Sequence, residues 1–115
     1  MTREDHARLS DIVRAIEAIR AHLERGDLTG GLIYDAVRVR LIEIGEAVKG
    51  LDADLLADVP DVPWREIARM RDHLAHRYFD ADHAIVVEVI DHDLEPLSEA
   101  VRSLIDQLAQ DDGSS

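Results

Sequence analysis

Apolar residues recur at every third or fourth position along most of this chain, and that spacing is the strongest constraint on its fold. In the first segment the stripe consists of Leu9, Ile12, Val13, Ile16, Ile19 and Leu23. Such a stripe lies on one face of an α-helix and is buried against other helices. No stretch alternates apolar and polar residues with the period of two that a half-buried strand requires. The pattern therefore predicts an all-α bundle of four to five helices.

Capping residues and helix breakers divide the first half of this pattern. Thr2 and Asp5 have the spacing of a capping pair at the start of the first helix, and Gly26 marks its end. The second helix is predicted over residues 32–49, with apolar side chains again on one face. Residues 53–58 are long enough for only one short helical turn.

The second half is predicted to form two more helices. One opens after Pro63 and ends near Phe79, because the Asp-Ala-Asp sequence of residues 80–82 is typical of a break followed by a new N-cap. The last helix is predicted over residues 83–110. Pro96 lies inside it and is expected to kink or split the helix, since proline removes one backbone hydrogen bond.

Length and composition narrow the class of protein. Residues 1–110 are expected to form one helical domain, and residues 111–115 a flexible tail. There is no cysteine, which excludes a disulfide scaffold, a zinc ribbon and a cysteine nucleophile. The four aromatic residues are too few for a base-stacking RNA platform. No apolar run approaches the roughly 20 residues of a membrane span, and residues 1–5 have no signal-peptide character, so we expect a cytoplasmic protein without a membrane partner.

Charge is distributed unevenly along the chain, whose formal net charge is −12. From residue 80 to residue 115 there are ten acidic side chains against a single basic one, Arg102. Residues 65–78 reverse the balance, with four arginines against two acidic residues. An acidic protein repels polyanions. Any site for a nucleotide or RNA is therefore expected in this basic segment.

The basic segment also holds the side chains best suited to phosphate chemistry. Arg71 can bind a phosphate through two parallel hydrogen bonds and stays charged. Histidine is the side chain best suited to transfer a proton as an acid or a base near neutral pH, which makes His76 the candidate for that role. Asp72, one helical turn before His76, can fix the tautomer of the imidazole or support its charged form. Arginine and histidine without a protein nucleophile suit transesterification of RNA, in which the 2′-hydroxyl attacks.

Other interpretations of these residues are open at the level of the sequence. His73 and His76, together with Asp72, have a spacing that metal ligands can use, but no further ligand set accompanies them, so we expect no metal and no cofactor. Glu46, in the second helix, either supports the site or is a buried structural acid. Trp64 is expected to be an anchor in the core or in an interface.

The spacing of Arg71 and His76 presents a geometrical difficulty. At 100° per residue, two side chains five residues apart lie ~140° apart around an ideal helix. Either the helix ends close to His76, or two copies of the segment meet across a dimer interface that brings both pairs into one cleft. Tyr78, seven residues after Arg71, shares its face.

The same segment resembles the signature of HepT-type toxins of the HEPN superfamily, which are small helical proteins of bacteria and archaea. Tyr34 and residues 41–47 resemble the second helix of that family, and the acidic last helix also fits. The matching residues of the signature are Pro63, Trp64, Arg71, His76, Tyr78 and Phe79.

The resemblance implies a HEPN-like helical bundle that acts as a homodimer. It implies a metal-independent RNA endonuclease, with no role for DNA, that leaves 2′,3′-cyclic phosphate ends. Arg71, His76 and Asp72 are the expected catalytic residues. Arg77, His73 and Glu46 are the expected supporting residues.

The resemblance further implies the toxin of a type VII-like toxin–antitoxin system. Its expected partner is a MntA-type nucleotidyltransferase antitoxin, which silences the toxin by transferring AMP to Tyr78. The alternative function is a non-catalytic helical subunit that binds a nucleotide and a nucleotidyltransferase partner. Retention of Arg71 and His76 favours the enzyme, whereas the acidic bulk of the chain favours the alternative.

Overall fold

A computed structural model of the protein describes residues 2–76 and 79–113. All regular structure in these ranges is helical, which confirms the predicted all-α class. A π-helical turn, Val89–Asp93, joins the last two helices into one continuous helical run. The helices are α1 (Arg3–Arg25), α2 (Gly31–Lys49), α3 (Ala53–Ala57), α4 (Trp64–Ala75), α5 (Phe79–Glu88) and α6 (Leu94–Gly113).

The first helix begins as the sequence predicts. Thr2 and Asp5 form a capping box, in which each side chain accepts a hydrogen bond from the backbone of the other residue. The carboxylate of Asp5 is buried and also accepts a hydrogen bond of 3.3 Å from the backbone N–H of Asp52. The cap of α1 is thereby tied to the start of α3.

Helix α1 lies at the centre of the bundle, where it packs along both α2 and α6. Its apolar stripe forms the core as predicted, although Val13 and Leu23 are only partly buried. Helix α4 packs on the other side of α2. Trp64 is buried in this core, and its indole N–H donates to the carbonyl oxygen of Val59. The described helices include none that is both long enough and apolar enough to cross a membrane.

The boundary between α4 and α5 differs from the prediction. Helix α4 ends at Ala75, four residues before the predicted end, and α5 begins at Phe79. The side chain of Arg38, on α2, donates a hydrogen bond to the carbonyl oxygen of Leu74 and so satisfies one of the free acceptors at the end of α4. The predicted break at residues 80–82 is wrong, because these residues lie inside α5 and the side chain of Asp82 is buried.

The π turn lies directly before Pro96, where the sequence predicts a kink or a split. The N–H of Leu94 donates to the carbonyl oxygen of Val89, five residues earlier, instead of four. Proline lacks an N–H and crowds the carbonyl group four residues before it, so a wider turn at this point relieves the conflict. The helix is interrupted but not split, and α6 continues to Gly113, beyond the predicted end at residue 110.

Candidate functional site

Arg71 lies where α2 and α4 come closest together. A methyl group on Gly45 of α2 would lie 2.7 Å from Cβ of Arg71 and 3.1 Å from the carbonyl oxygen of Ile67. Since no side chain fits in this space, only glycine permits the contact. The stem of Arg71 is therefore held against the backbone of α2, while 37% of its side chain stays exposed.

Two carboxylates hold the guanidinium of Arg71. Its Nε lies 2.6 Å from Oε2 of Glu46, an ion pair in which the N–H does not point at the oxygen. Its Nη1 donates a hydrogen bond of 3.1 Å to Oδ1 of Asp72. This hydrogen bond, followed by the charge of Glu46, raises the pKa of Arg71, and the same bond lowers the pKa of Asp72. Glu46 is exposed and contacts Arg71, so its interpretation as a buried structural acid is wrong.

His76 is the C-cap of α4, directly after its last residue, Ala75. Its backbone dihedral angles are φ −88° and ψ −6°, and its N–H donates to the carbonyl oxygen of His73 at 3.3 Å, which closes the helix with a tight turn. Because these angles are close to helical, the angular offset between His76 and Arg71 stays near that of a continuous helix. The imidazole of His76 is exposed. The pKa of Asp72 is lowered most by the hydrogen bond from Arg71, and the charge of His76 is a smaller cause in the same direction.

His73 faces a different part of the surface from Arg71. It lines a cavity of about 480 Å³ between α4 and α5, together with Glu66 and Asp93. Arg71 and Glu46 instead line a groove of about 880 Å³ between α1 and α2. Residues 2–76 and 79–113 contain no cluster of three or more histidine, aspartate or glutamate side chains that could hold a metal ion.

Arg77 and Tyr78 lie outside the described residues. The next helix, α5, carries two polar residues that sequence reasoning did not select, Asp82 and His83. The ring of His83 stacks on Tyr34 of α2 with 5.3 Å between centroids, and its Nε2 lies 3.2 Å from the carbonyl oxygen of Leu28. Burial, followed by the charge of Asp82, raises the pKa of Tyr34.

Arg38 is the other residue that sequence reasoning missed. It fixes the end of α4 from α2, 36 residues away along the chain. The available signal in the sequence is an arginine flanked by two valines in the middle of an apolar helix. Such a position is typical of a charged group that has a polar partner at the edge of the core.

Comparisons with known proteins identify relatives over most of the chain. Residues 9–104 match the profile of a family described as Ribonuclease HepT-like. The chain is 35% identical over 101 residues to a probable ribonuclease HepT of Thermococcus cleftensis, a match that covers 84% of this chain and 92% of that protein.

A second relative is a gamma-glutamylcyclotransferase and candidate RNase of Methanocaldococcus jannaschii. It is 33% identical over 104 residues, which are 87% of this chain and 47% of that protein. The chain thus spans about half the length of this relative. A candidate RNase of Caldanaerobacter subterraneus is 41% identical over 68 residues, which are 58% of this chain and 61% of that protein. No solved structure matches the chain.

The contact at Gly45 predicts an asymmetry between two glycine substitutions in α2. Gly45→Ala should lower the free energy of unfolding by about 1–3 kcal/mol, because α2 and α4 must move apart. Gly31→Ala should be neutral or slightly stabilising, because a methyl group there meets nothing within 4 Å and alanine favours the helix. Urea denaturation of both variants measures the difference. Equal stabilities would contradict the tight contact between the helices.

Proposed function

Because the chain belongs to the HepT-like ribonuclease family, we propose that it is a metal-independent RNA endonuclease of the cytoplasm. The observation that carries the proposal is the environment of Arg71. A partly exposed arginine is held by Glu46 and Asp72, and an exposed histidine, His76, follows it five residues later. These side chains supply positive charge and proton transfer, and RNA supplies its own nucleophile.

The proposed reaction is an in-line transesterification. The 2′-hydroxyl oxygen attacks the adjacent phosphorus, and His76 as general base accepts its proton. The bond between phosphorus and the 5′-oxygen breaks, and that oxygen receives a proton from a general acid. Arg71 stabilises the charge that builds up on the phosphoryl oxygens. The products carry a 2′,3′-cyclic phosphate and a 5′-hydroxyl, so no water is consumed in this step.

Substitution of the two principal residues tests this assignment. His76→Ala should reduce RNA cleavage by ~100- to 10,000-fold, because a proton-transfer group is lost. Arg71→Ala should reduce it by ~100- to 1,000-fold, because charge stabilisation is lost. His6→Ala and Arg65→Ala, at exposed positions that line neither the groove nor the α4–α5 cavity, serve as matched controls. Gel assays of a labelled RNA, with circular dichroism to check the fold, provide the measurement.

The same cleavage assay measures the end groups of the products and the effect of a chelator. Cleavage should persist in EDTA, and the 3′ ends should be 2′,3′-cyclic phosphates. Full activity of His76→Ala would refute the role of His76. Loss of activity in EDTA that magnesium or manganese restores would refute the metal-independent reaction.

We propose that the active form is a homodimer. The offset of His76 from Arg71 around α4 is the reason, because one chain does not direct both side chains to a single phosphate. A two-fold interface brings two copies of each residue into a shared cleft. Each site then takes Arg71 from one chain and His76 from the other, and a solvent water acts as the general acid toward the 5′-oxygen.

Mixing of two inactive variants tests the shared cleft. If Arg71 and His76 of one site come from different chains, Arg71→Ala mixed with His76→Ala forms hybrid dimers with one complete site. Random assembly then restores ~25% of the wild-type activity per chain. Each variant alone, assayed at the same total concentration, is the control. No recovery after mixing, or full activity of a monomer in sedimentation, would contradict a cleft shared in this way.

The biological role that we propose is that of a toxin in a type VII-like toxin–antitoxin system. A MntA-type nucleotidyltransferase antitoxin would transfer AMP from ATP to the hydroxyl of Tyr78, with release of pyrophosphate. Tyr78 follows His76 by two residues and precedes α5. Each AMP adds negative charge beside the arginines of this segment and so competes with the phosphates of RNA.

Removal of one hydroxyl tests this control. Tyr78→Phe should keep much of the cleavage activity, because the proposed reaction uses no tyrosine, but it should escape silencing by the antitoxin. Co-expression with the nucleotidyltransferase, growth curves and intact mass provide the measurements. Persistent growth arrest without added AMP mass supports the role of Tyr78. Normal silencing of Tyr78→Phe, with AMP on another residue, would show that Tyr78 is not the switch.

The alternative function is a non-catalytic subunit that binds a nucleotide and a nucleotidyltransferase. The net charge of −12 favours it, because an acidic protein has a weakened attraction for RNA. Silencing of Tyr78→Phe with no change of mass would favour this alternative, since the antitoxin would then act by binding alone.

A further inference from the structure

The groove between α1 and α2 concentrates positive charge in an otherwise acidic protein. Among the described residues, five basic side chains line it, and one of them is Arg71 of the candidate site. The five are Arg8, Arg14, Arg40, Lys49 and Arg71. The groove is therefore continuous with the site through a residue that both share.

The three acidic side chains of the groove are each paired with an arginine. Asp11 lies 2.8 Å from Arg14, and Glu43 lies 3.0 Å from Arg40. Glu46 is the partner of Arg71, as described above. In the described part of the chain no carboxylate lies within ion-pair distance of the other two basic side chains, Arg8 and Lys49, so their charges are available to a ligand.

Arg8 and Lys49 gather at the end of α2. A methyl group on Gly50 would clash with Nε of Arg8, so the guanidinium packs against the backbone just after Lys49. The partial negative charge of a helix C-terminus favours cations at this place. The charge of Lys49 also acts on the site. The pKa of Asp72 is lowered most by the hydrogen bond from Arg71, and the charge of Lys49 lowers it further.

We propose that the groove between α1 and α2 binds the phosphate backbone of single-stranded RNA, with Arg8 and Lys49 as the principal phosphate contacts. This inference rests on the proposed ribonuclease function and assigns the path of the substrate beyond Arg71. The groove has the volume of ordinary ligand pockets, which suits a few nucleotides of one strand and not the width of a duplex. The described residues that line it include no aromatic side chain, so the binding that they provide depends on charge and not on base sequence.

Two double variants with the same change of net charge test the proposal. Arg8→Gln/Lys49→Gln removes both contacts, and Arg3→Gln/Arg25→Gln removes two exposed arginines that do not line the groove. Both are made in the His76→Ala background, so that RNA is bound but not cut. Fluorescence anisotropy with a labelled single-stranded RNA of about 20 nucleotides measures Kd as a function of salt.

The groove variant should raise Kd roughly tenfold at low salt. It should also flatten the slope of log K against log salt by about 1.4, which corresponds to two phosphate contacts on a single strand. The variant that exchanges the two cations, Arg8→Lys/Lys49→Arg, should restore binding. In the background with intact His76, the groove variant should raise KM, whereas His76→Ala lowers kcat.

Several results would overturn the proposal. They are an unchanged Kd in the groove variant, an equal loss in the Arg3/Arg25 control, or a parent protein that binds no RNA. Dissociation of a dimer by the groove variant in sedimentation would also overturn it, because the groove would then be an interface between copies. Binding through the groove without cleavage by the protein with intact His76 would refute the ribonuclease function and leave the groove assignment standing.

Discussion

The close contact between α2 and α4 at Gly45 is the constraint on which the candidate site depends. It fixes how deeply the stem of Arg71 is buried, and it places the next residue, Glu46, against the guanidinium. Arg38 lies two helical turns earlier on α2 and reaches the carbonyl oxygen of Leu74. One face of α2 therefore holds Arg71 and the end of α4 at the same time. A displacement of this face of α2 would therefore move Arg71 and the turn that carries His76 together.

The charges around Arg71 indicate how a phosphate reaches the candidate site. The positive charge of Arg71 is offset by Glu46 and Asp72, and its hydrogen bond lowers the pKa of Asp72, so that carboxylate stays ionised well below neutral pH. A phosphate that binds Arg71 must compete with these carboxylates. The initial attraction therefore comes from cations without such partners. Within the part of the chain that the structure describes, Arg8 and Lys49 have that property, and both line the groove that Arg71 shares.

Local patterns in the sequence predict the bundle and its first cap, because the apolar spacing and the pair Thr2–Asp5 act within a few residues. The end of α4 could not be predicted in this way, since the group that satisfies Leu74 comes from Arg38, 36 residues away. Residues 80–82 have the composition of a cap, yet they continue α5 and bury Asp82. The identities of the candidate site residues come from the motif. Their partners come from packing between helices, which a single sequence does not display.

The acidic excess of the protein lies mainly in its C-terminal third, and this placement suits the binding of a polyanion in the groove. Residues 80–115 carry a net charge of −9, and α6, which contains five of their ten acidic residues, packs against α1. The groove opens between α1 and α2, and its described lining residues all come from positions 8–71, before the acidic third of the chain. A polyanion approaching from the side of α6 is repelled, whereas one approaching along α2 meets Arg8, Lys49 and then Arg71. The acidic bulk weakens the attraction for RNA overall, but it leaves the groove as a favourable approach. It favours an approach along the groove, which is lined by basic side chains that include Arg71.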